Sequence, residues 1–212
     1  MPDKNCNLRR IMFFCLGILA CGTVVFQFYL MIQNRVASLT ETYIRFFSYF
    51  TILTNLLVGI YALIQCFKKN SGEYNAPGNG TLTAVTVYIT IVGLVYQVLL
   101  RQTWAPQGNQ KIVDELLHSI IPLLTIIYWY VYENQENLRY SQIKSWLIYP
   151  LLYLIFVLIR GHFSNFYPYP FLDVNELGFT NVMIHSFLIF MLFVVVSLVY
   201  IAIGKQLALK KT

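Results

Sequence analysis

Residues 112–132 read IVDELLHSIIPLLTIIYWYVY, a stretch long enough to cross a bilayer that nevertheless holds Asp114, Glu115 and His118. A membrane-crossing helix needs about 20 mostly apolar residues at 1.5 Å rise each. An ionisable group inside it costs roughly 2.5–3.5 kcal/mol on insertion scales, so such groups face a bundle interior or a wet cavity and mark function. Asp114 and His118 stand one helical turn apart, on one face. The reading of the chain turns on what other segments bring to that face.

The rest of the chain has the same character. Its 212 residues are 58% hydrophobic and 11% charged, about half the charge of a soluble domain, and mean hydropathy is +0.60. Six apolar stretches are long enough to span, at 11–32, 42–67, 81–101, 112–132, 144–162 and 179–203. They are far longer than barrel strands, and lipid admits only helices or closed barrels. The expected fold is all-α: a polytopic membrane protein with one six-helix transmembrane domain over 1–212, in the cell membrane.

The net charge of +6 sorts by side of the membrane rather than marking a nucleic-acid surface. With the N-terminus inside, ten of the fifteen Lys and Arg are inner: Lys4, Arg9, Arg10, Lys68, Lys69, Arg139, Lys144, Lys205, Lys210 and Lys211. Four are outer, Arg35, Arg101, Lys111 and Arg160, and Arg45 lies just inside the second span. Loops rich in Lys and Arg stay in the cytoplasm, which puts both termini there. The four cysteines make no disulfide framework. The run Ile18–Cys21 resembles a lipoprotein cleavage box, but the apolar stretch continues to Ile32, as a span does.

The connections carry turn chemistry. Ser71–Gly80 is an inner loop of breakers, and Thr103–Asn109 is an outer one. The longest, Gly161–Gly178, holds Phe163, Phe166, Tyr167, Tyr169 and Phe171 with Pro168 and Pro170. It reads either as an interfacial aromatic belt or as a stiff rim over an outward-facing pocket. One short echo, Asp114-x-x-x-His118-Ser119 against Asn181-x-x-x-His185-Ser186, would relate spans four and six as a parallel repeat.

The intramembrane polar groups gather at one depth. At 1.5 Å per residue, Thr51 falls roughly 13 Å and His118 and His185 roughly 9 Å below the outer edge. Arg45, Ser48, Asp114 and Asn181 lie nearer the surface, and Arg101, Arg160 and His162 meet the same side. Ser48, Thr51, Asn55 and Gly59 share one stripe of span two; Asp114, His118, Pro122 and Thr125 share one of span four. Pro122 lacks an N–H and frees the carbonyl of His118, and Pro150 does the same for Trp146.

A hydroxyl, an imidazole and a carboxylate at matching depth fit nucleophilic chemistry. A threonine is a poor nucleophile until a base takes its proton. His118 is the natural base, and Asp114 is placed to orient it. Asn55, Ser48 and Ser119 are candidate oxyanion donors. Arg45, Arg101 and Arg160 are candidates for binding a carboxylate head group. A zinc site from His118, His185, Asp114 and His162 is the metal alternative; no H-E-x-x-H or C-x-x-C pattern accompanies it.

At these residues the chain resembles the six-span family that includes the androgen-induced membrane proteins of animals and a prokaryotic branch called Pr-six-Pr. The similar pieces are Phe47–Asn55, Asp114–Pro122 and Tyr167–Asp173, and the likeness extends over nearly the whole chain. The animal members hydrolyse fatty acid esters of hydroxy fatty acids with a threonine in span two and a histidine in span four. The resemblance implies Thr51 as nucleophile and His118 as base, with Thr54 as the alternative nucleophile. The animal pattern has an Asn where this chain has Asp114.

The expected function is therefore a membrane lipid esterase of threonine type, acting on a lipid or fatty-acyl ester without a cofactor or nucleic-acid partner. Its site residues are Thr51 and His118, supported by Asp114, Asn55, Ser48, Ser119, Thr54 and His185, with Arg45, Arg101 and Arg160 at the head group and no metal. The alternatives are a binder or transporter of amphipathic acids, a metal-dependent membrane enzyme, and an accessory protein whose polar groups only join helices.

Overall fold

The computed structural model describes residues 4–67 and 80–210, with side chains from residue 7 onward. Most of the Ser71–Gly80 turn lies outside them. Among the described residues the chain is helical, without a strand. Six helical segments are long and apolar enough to cross a membrane: Asn7–Gln33, Phe50–Phe67, Thr81–Leu100, Gly108–Tyr132, Tyr140–Ser164 and Val174–Leu209. That is the architecture of a multi-pass membrane protein.

The helices are α1 (Lys4–Gln33), α2 (Leu39–Phe46), α3 (Phe50–Phe67), α4 (Thr81–Val95), α5 (Gly108–Glu115), α6 (Ile121–Tyr132), α7 (Ile143–Trp146), α8 (Ile148–Ser164) and α9 (Val174–Leu209). Two π-helical turns are built in. Tyr96–Leu100 extends α4, and Leu116–Ile120 joins α5 to α6. Gly178, at φ 74°, kinks α9 near its start. Left-handed backbone of this kind is cheap only for glycine.

Five of the six expected spans agree with these segments to within six residues at either end. The second does not. The expected continuous 42–67 is broken at Phe47–Tyr49, which separates α2 from α3. The break is held by a partner distant in sequence. Tyr153 of α8 accepts the Phe50 N–H at 3.2 Å and donates to the Ser48 carbonyl at 2.8 Å, replacing the lost helical bonds. Thr51 is therefore the second residue of a helix, not a residue deep inside a long one.

Close packing follows from small residues and buried hydroxyls. α1 lies on α3, where a side chain at Gly17 would strike Leu63 and one at Gly59 would strike Cys21. Small residues let membrane helices approach this closely. α4 is the central helix: Thr83, Thr86, Val87 and Ile89 are fully buried, as an apolar-all-round sequence requires. α8 is peripheral and presents Leu151, Leu152, Ile155, Phe156 and Ile159 outward, a face suited to lipid.

Pro122 and Pro150, the two prolines inside described spans, each leave a carbonyl that another helix collects. Pro150 frees the Trp146 carbonyl, as its position implies, and the Tyr88 hydroxyl donates to it at 2.6 Å. The residues 34–37, 103–104 and 166–170 meet around one chamber at one end of the bundle. At the opposite end, Glu133 caps α4, accepting from the Thr83 N–H at 2.8 Å and its hydroxyl at 2.7 Å. A carboxylate at a helix N-terminus satisfies orphan donors and complements the dipole.

Candidate active site

Thr51 opens the first turn of α3, where backbone N–H groups have no helical acceptor. Its N–H donates to the Tyr169 hydroxyl at 3.2 Å. That hydroxyl also lies 3.3 Å from Thr51 Oγ1. On its other side Thr51 Oγ1 meets His118 Nε2 at 3.4 Å. The pairing expected from depth is thus present in the bundle.

His118 is held at both ring nitrogens and by a stacked ring. Its Nδ1 lies 2.9 Å from the Asp114 carbonyl and 3.4 Å from the Asp114 carboxylate. Both are acceptors, so in the neutral ring Nδ1 carries the proton and Nε2 is left to accept from Thr51. Tyr96 stacks on the imidazole with centroids 4.2 Å apart and planes 15° apart. The two aromatic rings stand on the two π turns. Such insertions concentrate at functional sites because they re-aim side chains without ending the helix.

The π turn also changes which carbonyl Pro122 frees. The Ile121 N–H bonds to the Leu116 carbonyl, five residues back. In that register the missing proline N–H falls on Leu117, not on His118 as an α-helical count gives. Asn55 Nδ2 reaches the Leu117 carbonyl at 3.2 Å and the Thr51 carbonyl at 2.9 Å. Asn55 therefore ties the turn bearing Thr51 to the turn bearing His118.

The other expected site residues divide. Thr54 is fully buried and meets the Tyr149 hydroxyl at 3.2 Å, away from His118, whereas Thr51 keeps 8% exposure. Ser48 donates to the Ile44 carbonyl at 2.6 Å, and both Asn55 amide hydrogens are used. These two are engaged helix supports and not oxyanion donors in this arrangement. Ser119 donates to Glu115 at 2.7 Å and accepts from Gln97 at 2.9 Å. Arg101 joins the same exposed cluster through Gln97 and Glu115. His185 sits at 3.3 Å from the Phe171 carbonyl, so the span-six echo brings no second imidazole to Thr51 among the described contacts. His162 packs on the Phe163 ring. Among the described residues, no three His, Cys, Asp or Glu side chains come together as a metal site does.

Two cavities meet at Thr51 and His118. One, of about 620 Å³, sets Gln27, Asn34, Arg35, Arg45, Gln110 and Asp114 among largely apolar walls. The other, of about 80 Å³, is apolar, with Ile91, Pro150, Leu154, Ile189 and Phe193 in its wall. Thr51, His118, Tyr169 and Leu100 belong to both. The described lining of the larger chamber includes Arg45 and Arg35 and leaves out Arg101 and Arg160. Arg160 bonds Glu41 at 2.7 Å, and Arg45 bonds the same carboxylate at 2.8 Å. Both guanidinium groups lie over the Phe166 ring. The hydrogen bond from Arg45 and the charge of Arg160 hold the Glu41 carboxyl below its usual range.

Tyr169, Tyr153, Tyr96 and Glu41 are the participants that sequence reasoning missed. Tyr169 was legible only as a rim aromatic. The flanking Pro168 and Pro170 were the available signal, because two fixed φ angles stiffen the backbone on either side of Tyr169.

Comparison of the chain with models of protein families, with curated proteins and with solved structures gave no match.

Proposed function

We propose that this protein is an integral membrane hydrolase of lipid esters, of the type that joins a fatty acid to a hydroxy fatty acid, with Thr51 as nucleophile and His118 as base. The observation that carries the reading is the 3.4 Å contact between Thr51 Oγ1 and His118 Nε2, at the boundary of the larger chamber and the smaller apolar pocket. Catalytic hydrogen bonds often shorten when substrate arrives. The quoted motifs in the second and fourth spans support the same assignment.

In this mechanism His118 Nε2 takes the Thr51 proton as Oγ1 attacks the ester carbonyl. The Asp114 carbonyl and carboxylate hold Nδ1–H and keep the ring in the required tautomer. The tetrahedral intermediate expels the alcohol, which receives the proton from His118 and leaves an acyl-threonine. Water entering from the larger chamber then repeats the sequence and frees the acid. Arg45 stands where a substrate carboxylate would lie, and the apolar pocket suits part of a hydrocarbon chain. The Lys and Arg asymmetry supports cytoplasmic termini in the cell membrane, which opens the chamber to the outer side.

The test is hydrolysis of such esters by the purified chain in detergent, together with labelling by a lipid phosphonate. Thr51→Ala and His118→Ala are expected to abolish both, and Thr54→Ala to preserve both. Labelling that persists in Thr51→Ala and disappears in Thr54→Ala would reassign the nucleophile. Binding of the acid without turnover would favour the binder reading.

A further inference from the structure

We infer that Tyr169 is the oxyanion donor of this site, its hydroxyl donating to the ester oxygen that becomes negative when Thr51 attacks. This inference rests on the hydrolase reading. The chemistry balances within the site. The Thr51 Oγ1–carbon bond forms, the carbonyl π bond breaks onto its oxygen, and the Thr51 proton moves to His118. When the carbonyl re-forms, the alcohol leaves with that proton.

The geometry supports the role from both sides of the hydroxyl. The Tyr169 oxygen accepts the Thr51 N–H at 3.2 Å, so its own proton remains to be given. It stands 3.3 Å from Thr51 Oγ1, and the developing oxyanion sits on the carbon that Oγ1 attacks. Oγ1 loses basicity as it becomes an ester oxygen while the new oxygen gains charge. The tyrosine proton therefore bonds more strongly in the transition state than at rest, which is the condition for catalysis.

The hydroxyl is also fixed in advance. Pro168 and Pro170 flank Tyr169, Phe171 stacks on its ring at 5.2 Å and 5°, and Tyr49 meets it edge-on at 5.8 Å. The ring is buried, and burial pushes its hydroxyl up to about 12, so it keeps its proton at neutral pH. Donors fixed in advance stabilise developing charge without reorganising when the reaction occurs. The competing side chains are committed, Asn55 to two carbonyls, Ser48 to the Ile44 carbonyl and Ser119 to Glu115.

The experiment compares Tyr169→Phe with wild type on a chromogenic ester and on its thionoester, whose sulfur accepts hydrogen bonds poorly. The expected result is a fall in kcat of about 10²–10³-fold on the oxygen ester, with KM within about threefold. The oxygen-over-sulfur preference should shrink toward unity. A merely structural tyrosine would slow both substrates alike, so an unchanged preference overturns the inference. Should Tyr169→Phe fail to fold, a fluorinated tyrosine at position 169 keeps the shape and alters the acidity, and an unmoved preference there overturns it equally. Hydrolysis that survives Thr51→Ala, or a wild type that hydrolyses neither ester, removes the hydrolase reading itself. Thr51-dependent hydrolysis with an unchanged preference removes only the role of Tyr169.

Discussion

His118 Nδ1 is nearer to the main-chain carbonyl of Asp114, at 2.9 Å, than to the carboxylate of the same residue, at 3.4 Å. The backbone alone therefore suffices to fix the imidazole tautomer. In serine proteases, replacing the orienting Asp by Asn costs about 10⁴ in kcat because the tautomer is lost. Here Asp114→Asn should cost only about tenfold, since the carbonyl remains and only a charge is removed. Steady-state kcat of Asp114→Asn beside His118→Ala measures the difference. Equal losses in the two variants would show that the carboxylate, not the carbonyl, does the orienting.

Asn55 is the tie between the nucleophile and base turns. Replacing it with Leu leaves the buried Leu117 carbonyl without the donor that Pro122 cannot supply. An orphaned buried acceptor costs about 1–3 kcal/mol. Asn55→Leu should therefore lower the thermal midpoint in detergent and also lower kcat, because the two turns are no longer joined. Asn55→Leu with wild-type stability would mean that Leu117 finds another partner.

Gly93 of α4 lies against the His118 turn. A Cβ at this position would stand 3.3 Å from the His118 carbonyl oxygen and 3.5 Å from Pro122 Cβ. The neighbouring turn must give by a few tenths of an ångström, and overpacking of this kind costs about 1–3 kcal/mol. Because the displaced turn carries the base, Gly93→Ala should reduce kcat more than a comparable change remote from His118. Gly17→Ala, at the α1–α3 crossing, is the control, with lost stability and little change in kcat per folded molecule.

Much of this was legible in the sequence, for physical reasons. Span number and length follow from the bilayer, which forces apolar stretches of a set size. The meeting of Thr51 and His118 is expected from depth, but the straight second span behind that count is not what brings them together: Thr51 opens a separate helix and His118 stands on a π turn. What could not be read was anything decided by a distant partner or a change of helical register. The break at Phe47–Tyr49 is held by Tyr153, about a hundred positions away. Thr51 and Thr54 lie three residues apart on one helix, and their distant partners separate their roles: His118 and Tyr169 for Thr51, Tyr149 for Thr54. The π turns insert an extra residue, and each residue turns a helix by roughly 100°. An α-helical count thus assigned Pro122's free carbonyl to His118 instead of Leu117.

Arg45 has a charge-specific consequence. It lines the chamber, but Glu41 shares its charge through a 2.8 Å bond. Arg45→Gln should raise KM for esters bearing a free carboxylate by about tenfold or less, because the partner already offsets part of the attraction. KM for the matching methyl ester should hardly change. The ratio of the two KM values is the measurement, and an equal rise for both would assign Arg45 to shape rather than charge.

Glu133 and Glu41 should respond to pH in opposite directions. Burial raises the Glu133 carboxyl above its ordinary value, against the hydrogen bonds from Thr83 that lower it. A folded value above the unfolded one means that the folded chain binds the proton more tightly. Stability attributable to Glu133 should therefore rise as pH falls through its raised value toward the ordinary range near 4.3. Glu41 is held low by Arg45 and Arg160, so its contribution is present above the ordinary range and fades as pH drops through its lowered value. Unfolding midpoints of Glu133→Gln and Glu41→Gln against wild type, from pH 7 downward, separate the two. Glu133→Gln should flatten the first part of the acid response, and Glu41→Gln the later part. A Glu133→Gln profile parallel to wild type over the upper window would show that the carboxyl titrates as in the unfolded chain.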